Sequence, residues 1–178
     1  MLTASPRHTE GELKDHFAAY DAHLEELGHS HGERPIMRGV FVAPTREAAE
    51  AIAGPAATHL FRELYGKHSA SGDRALRNDA GELVVDDRTV DFATFRDRYV
   101  VGAPDDVIES ITRLRDEFGM TELGCWMQLP GITGDQAMAS ARLFAEEVIP
   151  AFAGDRVTSP RPHRSGSIYR HGIGTRFI

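Results

Sequence analysis

Cysteine is almost absent from this 178-residue sequence. Cys125 is the single cysteine, so an internal disulfide is excluded and the composition fits a reducing compartment. No apolar run approaches the roughly 20 residues that a membrane-spanning helix requires. Residues 1–6 have neither the basic region nor the apolar region of a secretion signal. We therefore expect a cytoplasmic protein that does not associate with membranes.

Positive charge is also scarce. The 20 Lys and Arg residues are outnumbered by 27 Asp and Glu residues, and the net charge is −7. Such a surface repels nucleic-acid phosphates, so no nucleic-acid partner is expected. The sequence contains no Gly-x-Ser-x-Gly, P-loop or Gly-x-Gly-x-x-Gly motif, which excludes the common hydrolase, NTPase and dinucleotide-binding classes. The spacing of His29-Ser30-His31, with Glu33 nearby, fits no standard zinc pattern, so no metal site is expected.

The first half of the chain predicts a helix, a strand and a second helix. Thr9 and Glu12 have capping-box spacing, and apolar residues then recur at helical intervals as far as Leu27. The apolar run at 36–43 is typical of a buried strand. Thr45 caps the next predicted helix, in which Pro55 is expected to cause a kink or break. The predicted inner face of this second helix consists of Ala48, Ile52, Ala56, Leu60 and Leu64.

The second half repeats the pattern after an irregular segment at 66–92, which is predicted to be a lid or a disordered loop. A helix is expected from Pro104, where a proline at the first helical position loses no hydrogen bond. A strand follows at 122–128. A last helix, capped by Asp135, is predicted to turn Met138, Ala141, Ala145 and Val148 toward the core. This alternation predicts an α/β fold with a parallel sheet. A complete eight-unit barrel needs about 250 residues, so this 178-residue chain is too short to form one.

Four segments in the second half and upstream of it resemble luciferase-like flavin-dependent monooxygenases. Val101-Gly102-Ala103-Pro104-Asp105-Asp106-Val107 is similar to the family motif Val-Gly-Thr-Pro-Glu-Glu-Val. Residues 118–123 resemble the turn into the final barrel strand, and residues 143–150 resemble the closing helix. Upstream, residues 41–48 resemble the strand-to-helix junction of the preceding repeat. The likeness covers roughly residues 2–152.

The resemblance implies a partial (β/α)₈ TIM barrel, with the C-terminal repeats at 1–152 and a flexible tail at 153–178. It implies a reaction in which reduced FMN, supplied by a reductase, and O₂ oxidise a small organic substrate, or a deazaflavin relative of that reaction. The family's flavin-binding residues lie mainly before the first residue of this chain. We therefore expect a homodimer, or a partner chain that supplies the N-terminal half of the barrel. The alternative is a non-catalytic subunit that completes a partner and binds little flavin.

Candidate site residues follow from the rule that barrel enzymes react at the carboxyl ends of their strands. Thr3 and Ser5 follow an incomplete first strand, and Trp126 and Gln128 end the last one. Trp126 is predicted to stack near a flavin or to wall a substrate pocket, and Gln128 to donate a hydrogen bond, although a core tryptophan beside a solvated glutamine is the simpler interpretation. His68, within the predicted lid, is the candidate acid or base.

Overall fold

A computed structural model describes residues 8–29, 33–64, 77–80, 82, 90–154 and 176–177. Its helices are α1 (Glu10–Glu26), α2 (Arg46–Leu64), α3 (Pro104–Phe118) and α4 (Gly134–Leu143). A 3₁₀ helix spans Phe92–Arg98. A π-helical turn at Phe144–Val148 and a 3₁₀ turn at Ile149–Phe152 extend α4. None of the described helices is long and apolar enough to cross a bilayer.

The strands are β1 (Pro35–Val42), β2 (Tyr99–Gly102), β3 (Glu122–Trp126) and β4 (Arg176–Phe177), and they form one sheet in the order β2-β1-β3-β4. All pairings are parallel. β1 pairs along its second half with β2, from Gly39 opposite Tyr99, and along its first half with β3, from Pro35 opposite Glu122. The prediction that the strands at 36–43 and 122–128 run parallel in one sheet is confirmed.

Helices cover both faces of this sheet. Alternate residues of a strand point to opposite faces, and those of β1 divide accordingly between two apolar clusters: Val40 and Val42 belong to one, and Phe41 and Ala43 to the other. The first cluster contains residues from α1, α3 and the extension of α4, and we call this side the outer face. The second contains residues from α2 and the 3₁₀ helix at 92–98, and we call it the inner face.

The predicted helix starts are largely confirmed. Thr9 and Glu12 form the predicted capping box, with 2.8 Å from the Thr9 nitrogen to Glu12 Oε2, and Gly28 follows the helix with a φ of 69°. Thr45 Oγ1 accepts the Ala48 N–H at the start of α2. The helix α4 is an exception, because it begins one residue before Asp135 and its cap is Thr133.

Other predictions were wrong. The short strand β2 was missed, because no strand was predicted between the irregular segment at 66–92 and the helix from Pro104. Helix α2 continues through Pro55, so the predicted break does not occur, while the predicted kink stays a prediction. Both Pro55 and Ala51 are exposed, so water can reach the carbonyl that lacks a partner. The buried face of α2 consists largely of alanines, together with Leu60 and Phe61: Ala49, Ala53, Ala56 and Ala57. Of the predicted set, Ala56 and Leu60 are buried, Ala48 and Ile52 pack partly against the inner-face cluster, and the burial of Leu64 is not described.

The predicted lid and tail fall mostly outside the described residues. Within the lid segment, Arg77–Ala80 is described, and the Asp79 N–H donates to the Thr94 carbonyl over 3.1 Å. Within the tail, Arg176–Phe177 pairs with Glu122 and Leu123 of β3. The domain boundary at 152 stays a prediction.

Candidate functional site

The carboxyl ends of β1 and β3 form the edge of the sheet at which a site is expected. The connection after β1 leads to α2 on the inner face, whereas the connection after β3 leads to α4, whose extension lies on the outer face. In open α/β sheets, ligands bind in the crevice between two strands whose following connections lead to opposite faces of the sheet. The residues that follow the two strands, 43–45 and 127–129, therefore define the candidate site.

Strand β1 is longer than β3 at this edge. The pairing of β3 ends where Trp126 lies opposite Gly39, and β1 continues for three more residues. The Val42 N–H, which lies beyond that pairing, donates instead to the buried hydroxyl of Ser140 over 2.8 Å. A buried N–H without an acceptor would cost about 1–3 kcal/mol, so Ser140 fixes α4 against the end of β1. Sequence reasoning missed this residue, because a serine in an alanine-rich helix gives no signal of burial.

At the same edge of the sheet, an ion pair links the helices that follow β1 and β2. Arg46, the first residue of α2, contacts both carboxylate oxygens of Asp106 in α3, with 3.2 Å from Nε to Oδ2. Asp106 also accepts the Ala103 N–H over 2.9 Å, which caps α3. A side chain at Gly102 would place its Cβ 2.6 Å from the Asp106 Cβ. The motif at 101–107 therefore has a structural role. The missing side chain at Gly102 leaves room for Asp106, which joins the two βα units through Arg46.

The pairing with Arg46 predicts an acid-dependent stability. The hydrogen bond from Arg46 lowers the pKa of Asp106. A lowered pKa in the folded state stabilises the protein above the unfolded value of about 4, and this contribution disappears as the pH falls through the folded value. We expect Asp106→Asn to lose about 0.5–1 kcal/mol at pH 7 in urea titrations, since an exposed pair contributes little. The loss should vanish near pH 2.

Asp105→Asn is the matched control for this prediction. Asp105 lies in the same first turn of α3, so its substitution removes the same favourable interaction with the helix dipole. Among the described residues it forms no ion pair. Equal losses for the two variants would show that the Arg46 contact contributes nothing beyond the dipole.

The inner face of the sheet presents a shallow apolar surface beside the site. Met37 and Gly124 are in register, as are Gly39 and Trp126, and each of these pairs lies on the inner face. Trp126 and Met37 are half-buried, and the glycines add no side chain between them. The Tyr99 ring covers Gly39, where a Cβ would lie 2.6 Å from the ring carbon Cδ1. The exposed part of this surface therefore centres on Trp126.

The predicted site residues are brought together only in part. Trp126 ends β3 and packs partly against the inner-face cluster, and Gln128 is exposed two residues further on. Both lie at the candidate edge. Thr3, Ser5 and His68 lie outside the described residues. The roles assigned to all five residues stay predictions.

Two groups near the site have little capacity for nucleophilic attack or anion binding. Burial raises the pKa of the Cys125 thiol to about 12, so it stays protonated and is a poor nucleophile. At the loop before α4, Thr133 and Gln136 satisfy each other's backbone N–H groups over 3.0 and 3.3 Å. That pairing uses two of the donors that could have held an anion. In the part of the chain that the structure describes, no cluster of His, Cys, Asp or Glu could hold a metal ion.

A groove lies away from this edge. It has a volume of about 770 Å³ and runs between α2 and the 3₁₀ helix at 92–98. Its rim is held by the Glu50–Arg96 pair at 2.8 Å and by a hydrogen bond from Arg62 to the Val90 carbonyl. Charges of both signs line it, and they select no ligand class.

Comparison with solved structures identifies a related fold. The monooxygenase RslO1 from Streptomyces bottropensis superposes with a TM-score of 0.62 at 21% identity, over 85% of this chain and 41% of that one. The chain shares the fold of part of RslO1. A second match is the oxygenating constituent of 3,6-diketocamphane monooxygenase from Pseudomonas putida, a type II Baeyer–Villiger monooxygenase in complex with FMN, with a TM-score of 0.49, 24% identity and coverage of 78% and 39%. No protein-family model matches, and no curated protein does.

The partial coverage is informative in itself. The chain spans 41% of the length of RslO1, so more than half of that fold has no counterpart here. A closed (β/α)₈ barrel orders its strands as they follow in the chain, whereas β2 lies on the far side of β1 from β3. If β1 and β3 are consecutive barrel strands, then α2, the 3₁₀ helix and β2 form an insertion between them.

Proposed function

We propose that this chain is the C-terminal portion of a luciferase-like flavin-dependent monooxygenase. The observation that carries the proposal is the parallel pairing of β1 with β3, followed by α4 on the outer face. This arrangement is consistent with the last two strands of a barrel, and the fold shared with part of RslO1 supports the proposal. The motifs at 101–107, 118–123 and 143–150 lie at the start of α3, the turn into β3 and the closing helix, as the family resemblance requires.

The described residues do not form a flavin site alone. FMN needs cationic or N–H donors for its phosphate and an enclosed apolar slot for its ring. At the candidate edge Arg46 is already paired with Asp106, and the loop before α4 satisfies its own donors. Trp126 and Gln128 supply one wall of such a site. The remaining contacts to reduced FMN, O₂ and a small organic substrate must come from the part of the barrel without a counterpart here.

A non-catalytic subunit is the second candidate. The same lack of a complete phosphate site among the described residues favours a chain that completes a partner and contributes little binding of its own. Both candidates place the partner's barrel strands beside this sheet. They differ in whether the completed barrel catalyses the oxidation of a substrate.

Tryptophan fluorescence tests the proposal directly, because Trp126 is the only tryptophan in the chain. We expect FMN to leave its emission nearly unchanged when the chain is alone. After mixing with a tryptophan-free chain that supplies the earlier strands of a luciferase-like barrel, FMN should quench the Trp126 emission strongly, since a flavin within contact distance accepts the excitation energy. A coupled NADH–flavin reductase assay should then show substrate-dependent O₂ uptake, which a deazaflavin enzyme would lack.

Trp126→Phe is the control for this experiment. It removes the emission but keeps an aromatic wall, so binding followed by flavin fluorescence should persist. Trp126→Ala should weaken FMN binding about five- to thirtyfold, the equivalent of roughly 1–2 kcal/mol of lost ring contact. Quenching without O₂ uptake would favour the non-catalytic subunit. Flavin binding that is unchanged in Trp126→Ala would remove Trp126 from the site.

A further inference from the structure

The edge of β3 that faces away from β1 is covered by another part of the same chain. Arg176–Phe177 forms β4, which runs parallel to β3 and is in register with it from Arg176 opposite Glu122. Within the ranges that the structure covers, no strand pairs with Gly124–Trp126 on this side. β4 therefore pairs with only the first two of the five residues of β3.

This edge is the one at which a closed barrel joins its ends. In such a barrel the last strand pairs with the strand before it on one side and with the first strand on the other, and both pairings are parallel. If β1 and β3 are the last two barrel strands, then β4 occupies the place of the first strand and runs in its direction. Yet β4 follows α4 in the chain. The place of the first strand is thus taken by a segment that comes after the last repeat.

The pairing of β4 is short compared with the central pairing of the sheet. It contains two register pairs, whereas β1 and β3 share five. The edge of a sheet accepts an extended segment through main-chain N–H and C=O groups, so many sequences can bind there. A first barrel strand of ordinary length, about 5–6 residues, can pair with all of β3 from Glu122 to Trp126. It would form more hydrogen bonds than β4 and is therefore expected to displace it.

We propose that this edge of β3 is a strand-docking surface with two alternative occupants. In the chain alone Arg176–Phe177 covers it, and on assembly the first strand of the missing barrel portion displaces β4. The inference rests on the proposed function, because only a barrel needs this edge. The pairing of β4 is intramolecular, so it competes at every partner concentration and lowers the affinity for the partner. It also protects the edge from pairing with unrelated chains.

A disulfide tests whether β4 is the resident occupant. Glu122→Cys and Arg176→Cys, in a Cys125→Ala background, place two thiols at positions in register on neighbouring strands. Such strands lie about 4.8 Å apart, within the Cα separation of about 4.4–6.8 Å that a disulfide requires. We expect mild oxidation of the dilute chain to form an intramolecular disulfide several times faster than in the control E122C/F177C, which is one residue out of register. Equal rates, followed by intact mass spectrometry, would overturn the proposal.

The same disulfide tests the exchange of strands. The partner is the tryptophan-free chain that supplies the earlier strands of a luciferase-like barrel, labelled with a fluorophore and followed by anisotropy. With β4 locked onto β3, the affinity for this partner should fall about tenfold or more, and reduction of the disulfide should restore it. The matched control is Cys125→Ala alone, which has no thiol and should bind equally before and after oxidation.

Weakening of β4 should have the opposite effect. The double variant R176P/F177P lacks both main-chain N–H groups of β4, one of which a parallel pairing directs toward β3. We expect it to bind the partner about three- to tenfold more tightly than the native chain does. Partner binding that ignores both the disulfide and the prolines would overturn the exchange and leave the proposed function standing. A partner that binds none of these forms, the proline variant included, would contradict the proposed function and the exchange together.

Discussion

Replacing Phe95 with alanine is expected to destabilise the fold by roughly 3–5 kcal/mol, the usual loss for a fully buried aromatic ring. Phe95 is 0% exposed, and its ring stacks on Phe61 with 4.1 Å between centroids and 4° between planes. The centroids of the Phe92 and Tyr99 rings lie 5.9 and 5.7 Å from that of Phe95, in a T-shaped and a tilted arrangement. Removal of the ring leaves a cavity at the centre of this aromatic group.

The position of Phe95 explains why the effect should spread beyond one helix. Phe95 lies at a break between two short 3₁₀ turns (φ −143°, ψ 24°), which are too short to be stable alone. Its ring therefore holds this segment against α2, together with the Glu50–Arg96 pair. The same segment leads directly into β2, which covers the second half of β1. Loss of Phe95 should therefore loosen the edge of the sheet. Urea unfolding followed by circular dichroism measures the loss of free energy, and hydrogen exchange of Tyr99–Gly102 reports the local opening.

Phe92→Ala is the matched variant in the same helix. Its ring is half-buried and contacts the others edge-on, so we expect a loss of only about 1–2 kcal/mol. Similar losses for Phe92→Ala and Phe95→Ala would contradict the central place of Phe95. So would a Phe95→Leu variant, which keeps most of the volume, that is as unstable as Phe95→Ala.

The main elements of this fold are readable in the sequence where the signal is local. The capping box at Thr9 and Glu12, the proline at the start of α3 and the stripe of Val107, Ile111, Leu114 and Phe118 predict their helices correctly. Each signal depends on contacts within a few residues. β1 was also found, because its long apolar run is buried on both sides.

The errors occur where burial depends on distant parts of the chain. β2 has only four residues, and its strand conformation comes from pairing with β1 more than fifty residues earlier. The inner face of α2 consists largely of alanines, which carry too little hydrophobic signal to show which side is buried. In α4 and its extension, Met138 and Ala145 are exposed rather than buried as predicted. The buried residue is Ser140, whose hydroxyl accepts a hydrogen bond from β1.

The candidate site was predicted less completely than the fold. The carboxyl-end rule placed Trp126 and Gln128 at the correct edge, since it needs only strand direction. The Arg46–Asp106 pair was not predicted, because two helix starts sixty residues apart meet there only when β1 and β2 are neighbours. The burial of Arg38 and Arg98 was not predicted either. Arg38, on β1, is 1% exposed, and burial lowers its pKa to about 10.

Arg98 is the second buried arginine, and its carboxylate partner is expected to matter greatly. The Arg98 side chain is 1% exposed, and its Nε lies 2.7 Å from Asp79 Oδ1. Asp79 also accepts the Asp97 N–H over 3.0 Å, so it joins residues 77–80 to the end of the 3₁₀ helix. We expect Asp79→Ala to destabilise the fold by roughly 3–5 kcal/mol, because a buried charge that loses its counter-ion is costly.

A second substitution separates the charge from the packing. The Arg98 guanidinium lies 5.3 Å from the centre of the Phe61 ring, and methionine can fill much of that space without a charge. If the cost of Asp79→Ala is electrostatic, the double variant D79A/R98M should be about 1–3 kcal/mol more stable than D79A in urea unfolding. If the double variant is no more stable than D79A, the loss comes from the hydrogen bond to Asp97 and the anchoring of residues 77–80, and the buried charge is compensated elsewhere.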